Sequence, residues 1–178
     1  MEPQLTTERF ELQPIIAADQ QFIYEGLSHP QVIPFYGVRY SSFEETKSQM
    51  DWYEKLSKER TGMAWKIVDK ENSERTGVIS YYNHSTVHNK AEVGYWLLPQ
   101  YWKKGIVSEV FQVVINYLLQ EKKVHRVEAF VEEGNSDSNR LLERVGFVYE
   151  GTMRDCEIKE GQYISLRIYG LLSTDKKN

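Results

Sequence analysis

Cysteine is nearly absent from this chain of 178 residues, where Cys156 stands alone. One thiol excludes an internal disulfide framework and any Cys-x-x-Cys redox or metal pair. Histidine is sparse as well. His29, His84, His88 and His125 are scattered without His-Glu-x-x-His or similar ligand spacing, so no metal site is expected. No run approaches the ~18 apolar residues of a membrane span, and residues 1–11 lack the charged-then-apolar layout of a secretion signal. No membrane partner is expected, and the setting read from the lone cysteine is cytoplasmic. Charge of one sign is also missing: 22 Lys and Arg against 26 Asp and Glu leave a formal net charge of −4. That balance argues against nucleic-acid binding by bulk charge. Internal repeats are absent, and only residues 173–178 read as a loose polar tail.

What is present is enough for one globular domain over residues 1–172. Apolar residues make up 40% of the chain and aromatics 13%, which favours a buried core over disorder. Residues 9–14 read as a first strand. Phe22, Ile23 and Leu27 mark a helix over 18–27, broken at His29-Pro30. Ser42-Phe43-Glu44-Glu45 reads as a capping box opening a helix through about 58, with Phe43, Met50, Tyr53 and Leu56 inward. Three strands follow, over 63–69, 76–82 and 91–98, the last closed by Pro99. Val107, Val110, Phe111, Val114, Ile115, Leu118 and Leu119 give the strongest helical period in the chain, over 105–121. A strand over 126–131 and a short helix over 136–145 come next. Two final strands turn around Lys159-Glu160-Gly161. The order is that of an α/β chain with a mixed, mostly antiparallel sheet of about seven strands and helices on both faces.

Two helix starts after strands carry the chemistry. At Trp102-Lys103-Lys104-Gly105-Ile106-Val107, unpaired N–H donors and the helix dipole make an anion site, Gly105 permits close backbone approach, and two lysines add positive charge. The bland alternative is a loop with one glycine and two solvated lysines. Neither a Walker loop nor a Gly-x-Gly-x-x-Gly fingerprint is present. At Asn135-Ser136-Asp137-Ser138, Asn135 suits an N-cap and Asp137 a first turn. The functional alternative has Asn135 and Ser138 facing a ligand along the sheet edge.

In that order and spacing the chain resembles the GNAT superfamily of acetyl-CoA-dependent N-acetyltransferases, and within it the RimJ/RimL-type branch. The resemblance rests on residues 5–12, on Ala91-Glu92-Val93-Gly94-Tyr95-Trp96-Leu97, on Asn135-x-x-Ser138, on Glu143-Arg144-Val145-Gly146-Phe147, and on Glu150-Gly151-Thr152-Met153-Arg154. It implies a GNAT fold with acetyl-CoA as co-substrate. The implied contacts are Leu97 and Leu98 on the strand, Lys103, Lys104, Gly105, Ile106, Val107 and Ser108 at the helix start, and Asn135 and Ser138. In the family's phosphate loop, Q/R-x-x-G-x-G/A, Trp102 and Val107 depart from the pattern, and Val107 adds bulk where a small residue is usual. Leu142 replaces the tyrosine that many members place seven residues after the Asn. The resemblance therefore gives Ser138 the role of hydrogen-bond donor or proton relay toward the leaving thiolate.

The implied reaction is attack of a primary amine on the thioester. It needs a neutral amine, two reactants held in line, a donor for the oxyanion and a donor for the thiolate. The oxyanion donor is expected near Leu97-Leu98, where the family's strand is bulged. Glu92 is the candidate base, on the same strand face as Gly94 and Trp96, with His84 and water as alternatives. An α-amine, of pKa ~7.7–8.0, needs less help than a lysine at ~10.4. The reading is an N-acetyltransferase acting as monomer or homodimer on a protein N-terminus of the ribosomal-protein alanine type. The alternatives are a small-amine acetyltransferase (aminoglycoside, polyamine or amino-acid derivative) and a non-catalytic acyl-CoA-binding module. Longer acyl donors stay open.

Overall fold

The computed structural model describes residues 4–175. Their elements are β1 (Leu5–Thr6), β2 (Phe10–Pro14), α1 (Gln20–Leu27), α2 (Lys47–Lys58), β3 (Met63–Asp69), β4 (Arg75–Ser85), β5 (Lys90–Leu97), α3 (Ile106–Asn116), β6 (Arg126–Glu132), α4 (Ser136–Arg144), β7 (Val148–Lys159) and β8 (Gln162–Leu172). The strands form one eight-stranded sheet in the order β1-β2-β3-β4-β5-β6-β8-β7. Every neighbouring pair is antiparallel except β5 with β6. The count is eight rather than about seven because Leu5 and Thr6 pair with Leu12 and Glu11 as a separate edge strand.

Alternation along the strands divides the core in two. Odd positions of β5 (Ala91, Val93, Leu97) join Phe111, Val114, Ile115 and Leu118 and the Leu141-Leu142 pair of α4. Even positions (Trp96, and Leu98 beyond the strand) join Phe22, Ile23 and Leu27 of α1 and Tyr53 of α2. Thus α1 and α2 cover one face, and α3 and α4 the other. The close fit on the first face is visible at Gly26, where an added Cβ would lie 2.2 Å from the Trp96 ring.

Several local expectations hold in altered form. The Ser42 hydroxyl accepts from Glu45 N at 3.2 Å, as a capping box requires, but the helix proper begins only at Lys47. Phe43 is 40% exposed rather than inward, because it lies in the turn before the helical period sets in. The long helix follows α geometry to Asn116 and then widens into a π turn over Tyr117–Glu121. Glu160 and Gly161, at φ of 52° and 76°, make the two-residue hairpin turn. Cys156 is exposed on β7, the edge strand. Of the expected tail, Ser173 and Asp175 are bonded to His125 O and Leu172, whereas residues 176–178 lie outside the described residues. No helix among the described residues is long and apolar enough to cross a membrane.

Candidate functional site

The parallel ladder between β5 and β6 has only three rungs, Lys90 with Arg126, Ala91 with Val127 and Glu92 with Glu128. Beyond them β5 stays paired with β4 as far as Leu97. β6 stays paired with β8 as far as Glu132. The two strands therefore part in mid-sheet, each held by its other neighbour. The gap opens into a cleft of about 1540 Å³ lined by both diverging segments, by residues 102–108 and by Asn135, Ser138 and Leu142. That volume exceeds the ~300–1,000 Å³ of an ordinary single-ligand pocket, which leaves room for two reactants. A separate shallow depression near the β7–β8 bulge, lined by Glu133, Thr152, Arg154, Asp155 and Ser165, lies away from the gap.

Backbone directions follow from one bond. Leu98 N donates to Thr76 O at 2.9 Å, so even positions of β5 turn their amides toward β4. The N–H groups of Tyr95 and Leu97 therefore face the gap. This corrects two expectations. Leu98 is buried in the α1/α2 core with its N–H already engaged, and it is not part of the cleft wall. The strand is regular at this end, and the bulge lies at the other, between Tyr82 and Ser85. The Leu97 carbonyl accepts from Trp102 Nε1 at 2.9 Å, which ties the following loop to the strand end.

That loop delivers α3. Gly105 is its N-cap, at φ 73°, and no side chain caps the helix. Its first N–H groups are thus left to solvent or ligand. Glu109, in the first turn, has its charge paired by Arg9. Arg9 binds its carboxylate through N at 3.1 Å and Nε at 2.7 Å, and hydrogen bonds from Thr7 and Arg9 outweigh burial to hold it below its ordinary value. Ile106 and Val107 point into the main core, so Val107 adds no bulk to the anion site. Lys103 and Lys104 stand on the cleft rim. Arg144 reaches the same rim and donates to Ser108 Oγ at 2.8 Å. The uncapped α3 amides, the αL glycine and three cations suit a diphosphate.

The other walls carry the titratable groups. Asn135 Oδ1 accepts from Ser138 N at 3.2 Å, the N-cap expected of it, while both residues also line the cleft. Ser138 Oγ lies 2.7 Å from the Tyr95 hydroxyl. On the opposite sheet face, Glu92 accepts from Asn83 Nδ2 at 2.9 Å, beside Tyr82 and Trp52. Burial raises the Glu92 carboxyl above its ordinary value, against the lowering bonds from Asn83 and Tyr82. His84 packs edge-on to Tyr81 and does not line the cleft. Sequence reasoning missed Tyr95, Tyr82 and Arg144. Strand alternation placed Tyr95 opposite Glu92 in facing, but only the fold brings it to Ser138.

Residues 9–148 match the acetyltransferase (GNAT) domain family. The chain is 31% identical over 173 residues to the uncharacterized N-acetyltransferase YoaA of Bacillus subtilis, covering 97% of this chain and 98% of that one. It is 25% identical over 155 residues to the ribosomal-protein-serine acetyltransferase of Escherichia coli, covering 87% and 82%. The solved structure of RimL, the ribosomal L7/L12 α-N-protein acetyltransferase in complex with coenzyme A, shares the fold with a TM-score of 0.86 at 20% identity, over 96% of this chain and 98% of that one. The chain belongs to the GNAT acetyltransferase family. It is an N-acetyltransferase, and its acyl donor is acetyl-CoA.

Proposed function

We propose that this enzyme is of the RimJ/RimL type and acetylates the α-amine of a protein or peptide N-terminus, as a single domain over residues 1–172 working in the cytoplasm. The observation that carries the reading is the gap between β5 and β6. It joins two chemically different sides, the Ser138 hydroxyl on the α3/α4 face and the Glu92 carboxylate on the α1/α2 face. A base on one face and a donor on the other suit addition to the thioester carbonyl, in which the amine approaches from the Glu92 side and the tetrahedral intermediate collapses with the thiolate departing past Ser138.

The roles follow from position. The amides of α3 from Ile106 to Ser108, with Gly105, hold the diphosphate, and Lys103, Lys104 and Arg144 add charge. The β5 edge aligns the thioester, and the Tyr95 or Leu97 N–H serves the oxyanion. Glu92 takes the amine's proton, directly or through water. Its raised affinity for protons makes it a better base than an exposed carboxylate. Ser138 donates to the departing sulfur. An α-amine, of pKa ~7.7–8.0, matches one moderately strengthened carboxylate better than a lysine does. The relative named for a ribosomal protein supports the acceptor class.

The test is thiol release from acetyl-CoA over a panel of peptides with free N-termini, polyamines and aminoglycosides. Turnover confined to N-terminal peptides is the expected result. Turnover confined to small amines overturns the acceptor class, and CoA binding without turnover on any amine overturns the catalytic roles.

A further inference from the structure

We infer that Tyr95 is a positioning residue for Ser138, its hydroxyl donating to Ser138 Oγ so that the serine proton is aimed into the gap at the thioester sulfur. The inference rests on the reading that Ser138 serves the leaving thiolate.

A serine hydroxyl has one proton and rotates freely unless a neighbour fixes it. Here the fixing neighbour lies across the gap. Tyr95 projects from β5, Ser138 sits one turn into α4 beyond β6, and their oxygens are 2.7 Å apart. Both partners are held independently. Asn135 Oδ1 binds Ser138 N at 3.2 Å, and the Tyr95 ring meets Phe111 of α3 edge-on at 5.3 Å between centroids. The charged groups near the Tyr95 hydroxyl are Asp137 and Arg144 of α4. Either hydroxyl of the pair can donate. Burial pushes the phenol up to about 12, so Tyr95 keeps a proton to give, and in the proposed arrangement it is Tyr95 that donates. With Tyr95 donating, the Ser138 proton has to point elsewhere, and the open direction is the cleft both residues line. The chemistry then balances without a relay. The C–S pair leaves on sulfur, the amine proton passes to Glu92, and neither hydroxyl changes its covalent proton. Leu142, the residue one turn on from Ser138, is apolar and buried, which leaves the hydroxyl pair as the donor on this face.

The experiment compares wild type, Tyr95→Phe, Ser138→Ala and the double variant. Phenylalanine keeps the ring packed on Phe111, and a thermal melt checks that the fold is retained. Expected is a fall in kcat of about tenfold for Tyr95→Phe with both KM values unchanged, and no further fall when it is added to Ser138→Ala. A second readout needs no turnover. The ultraviolet thiolate absorbance of bound CoA should titrate at higher pH in Tyr95→Phe than in wild type. An unchanged kcat, a loss in KM alone, an equal loss in the Ser138→Ala background or an unmoved thiol titration each overturns the inference. Failure of the underlying reading looks different, because wild type would then release no thiol from acetyl-CoA with any amine.

Discussion

Glu92 and Glu128 stand side by side on the last rung of the parallel ladder, at the point where β5 and β6 part. Their environments separate them. Glu128 is bonded to Lys90 at 2.9 Å and to Arg126 at 2.8 Å. These bonds overcome burial and hold it below its ordinary value. Glu92 is bonded to the Asn83 amide and the Tyr82 phenol, and burial prevails, assisted by the Glu128 charge. One carboxylate is therefore kept as a permanent anion and the other is poised to take a proton.

This asymmetry sets the pH dependence. A base whose value is raised is protonated at higher pH than an exposed glutamate, near ~4.3, so kcat/KM should climb through an acid limb displaced upward from that range. Glu92→Gln should remove the limb and lower turnover by about 10²–10⁴-fold. Stability moves the other way. Because folding raises the affinity of Glu92 for its proton, the ionised form weakens the native state at neutral pH. Thermal melts should show the glutamine variant at least as stable as wild type at pH ~7. Any deficit of wild type should shrink as pH falls through the raised value.

Ser138→Ala should separate binding from chemistry. The helix cap is made by Asn135 Oδ1 to the Ser138 backbone, and alanine keeps that bond. Calorimetric affinity for CoA should stay within about threefold of wild type, while kcat falls about 10²-fold for loss of a donor to the leaving group. Equal losses in both quantities would refute the assignment.

At Gly105 the backbone itself is the feature under test. An added Cβ there meets nothing closer than 3.8 Å, so space is not limiting. The φ of 73° is, since a side chain costs about 1–2 kcal/mol in that conformation. Gly105→Ala should lower stability by about 1 kcal/mol and weaken CoA by turning the α3 amides. A titration showing unchanged CoA affinity would separate the loop from the diphosphate.

Arg126 stands on the first rung of the parallel ladder, at the start of β6. Its guanidinium binds Glu150 at 2.8 and 2.5 Å and Glu128 at 2.8 Å. Arg126→Ala should cost about 1 kcal/mol at neutral pH, the partial exposure of the pair reducing a buried pair's larger penalty. Arg126 holds Glu150 below its ordinary value. The contribution is therefore full above the unfolded carboxylate range and disappears as pH falls through the lower folded value. Melts of both proteins should converge as pH falls below that lowered value.

Some of this was legible in the chain. The i, i+3, i+4, i+7 spacing from Val107 to Leu119 located the long helix, because such a period can bury one face only as a helix. Gly161 located the hairpin, because positive φ at the end of a two-residue turn favours glycine, while Glu160 adopts positive φ without being a favoured type. Lys103 to Ser108, Asn135, Ser138, Leu97 and Glu92 all reached the cleft wall. Leu98 did not, because one step along a strand reverses both side chain and amide. Val107 reached it with its side chain turned into the core.

By itself, then, the amino-acid sequence determined the local elements, their order, and which residues could cap, turn or bind, since these depend on neighbours a few positions away. Tertiary structure alone decided that β5 and β6 pair for three rungs and then separate. It also decided that Tyr95 meets Ser138 and that Glu92 loses water while Glu128 gains two cations. Those outcomes depend on groups tens of residues apart in the chain, brought together by long-range strand pairing and by burial, which no local pattern encodes.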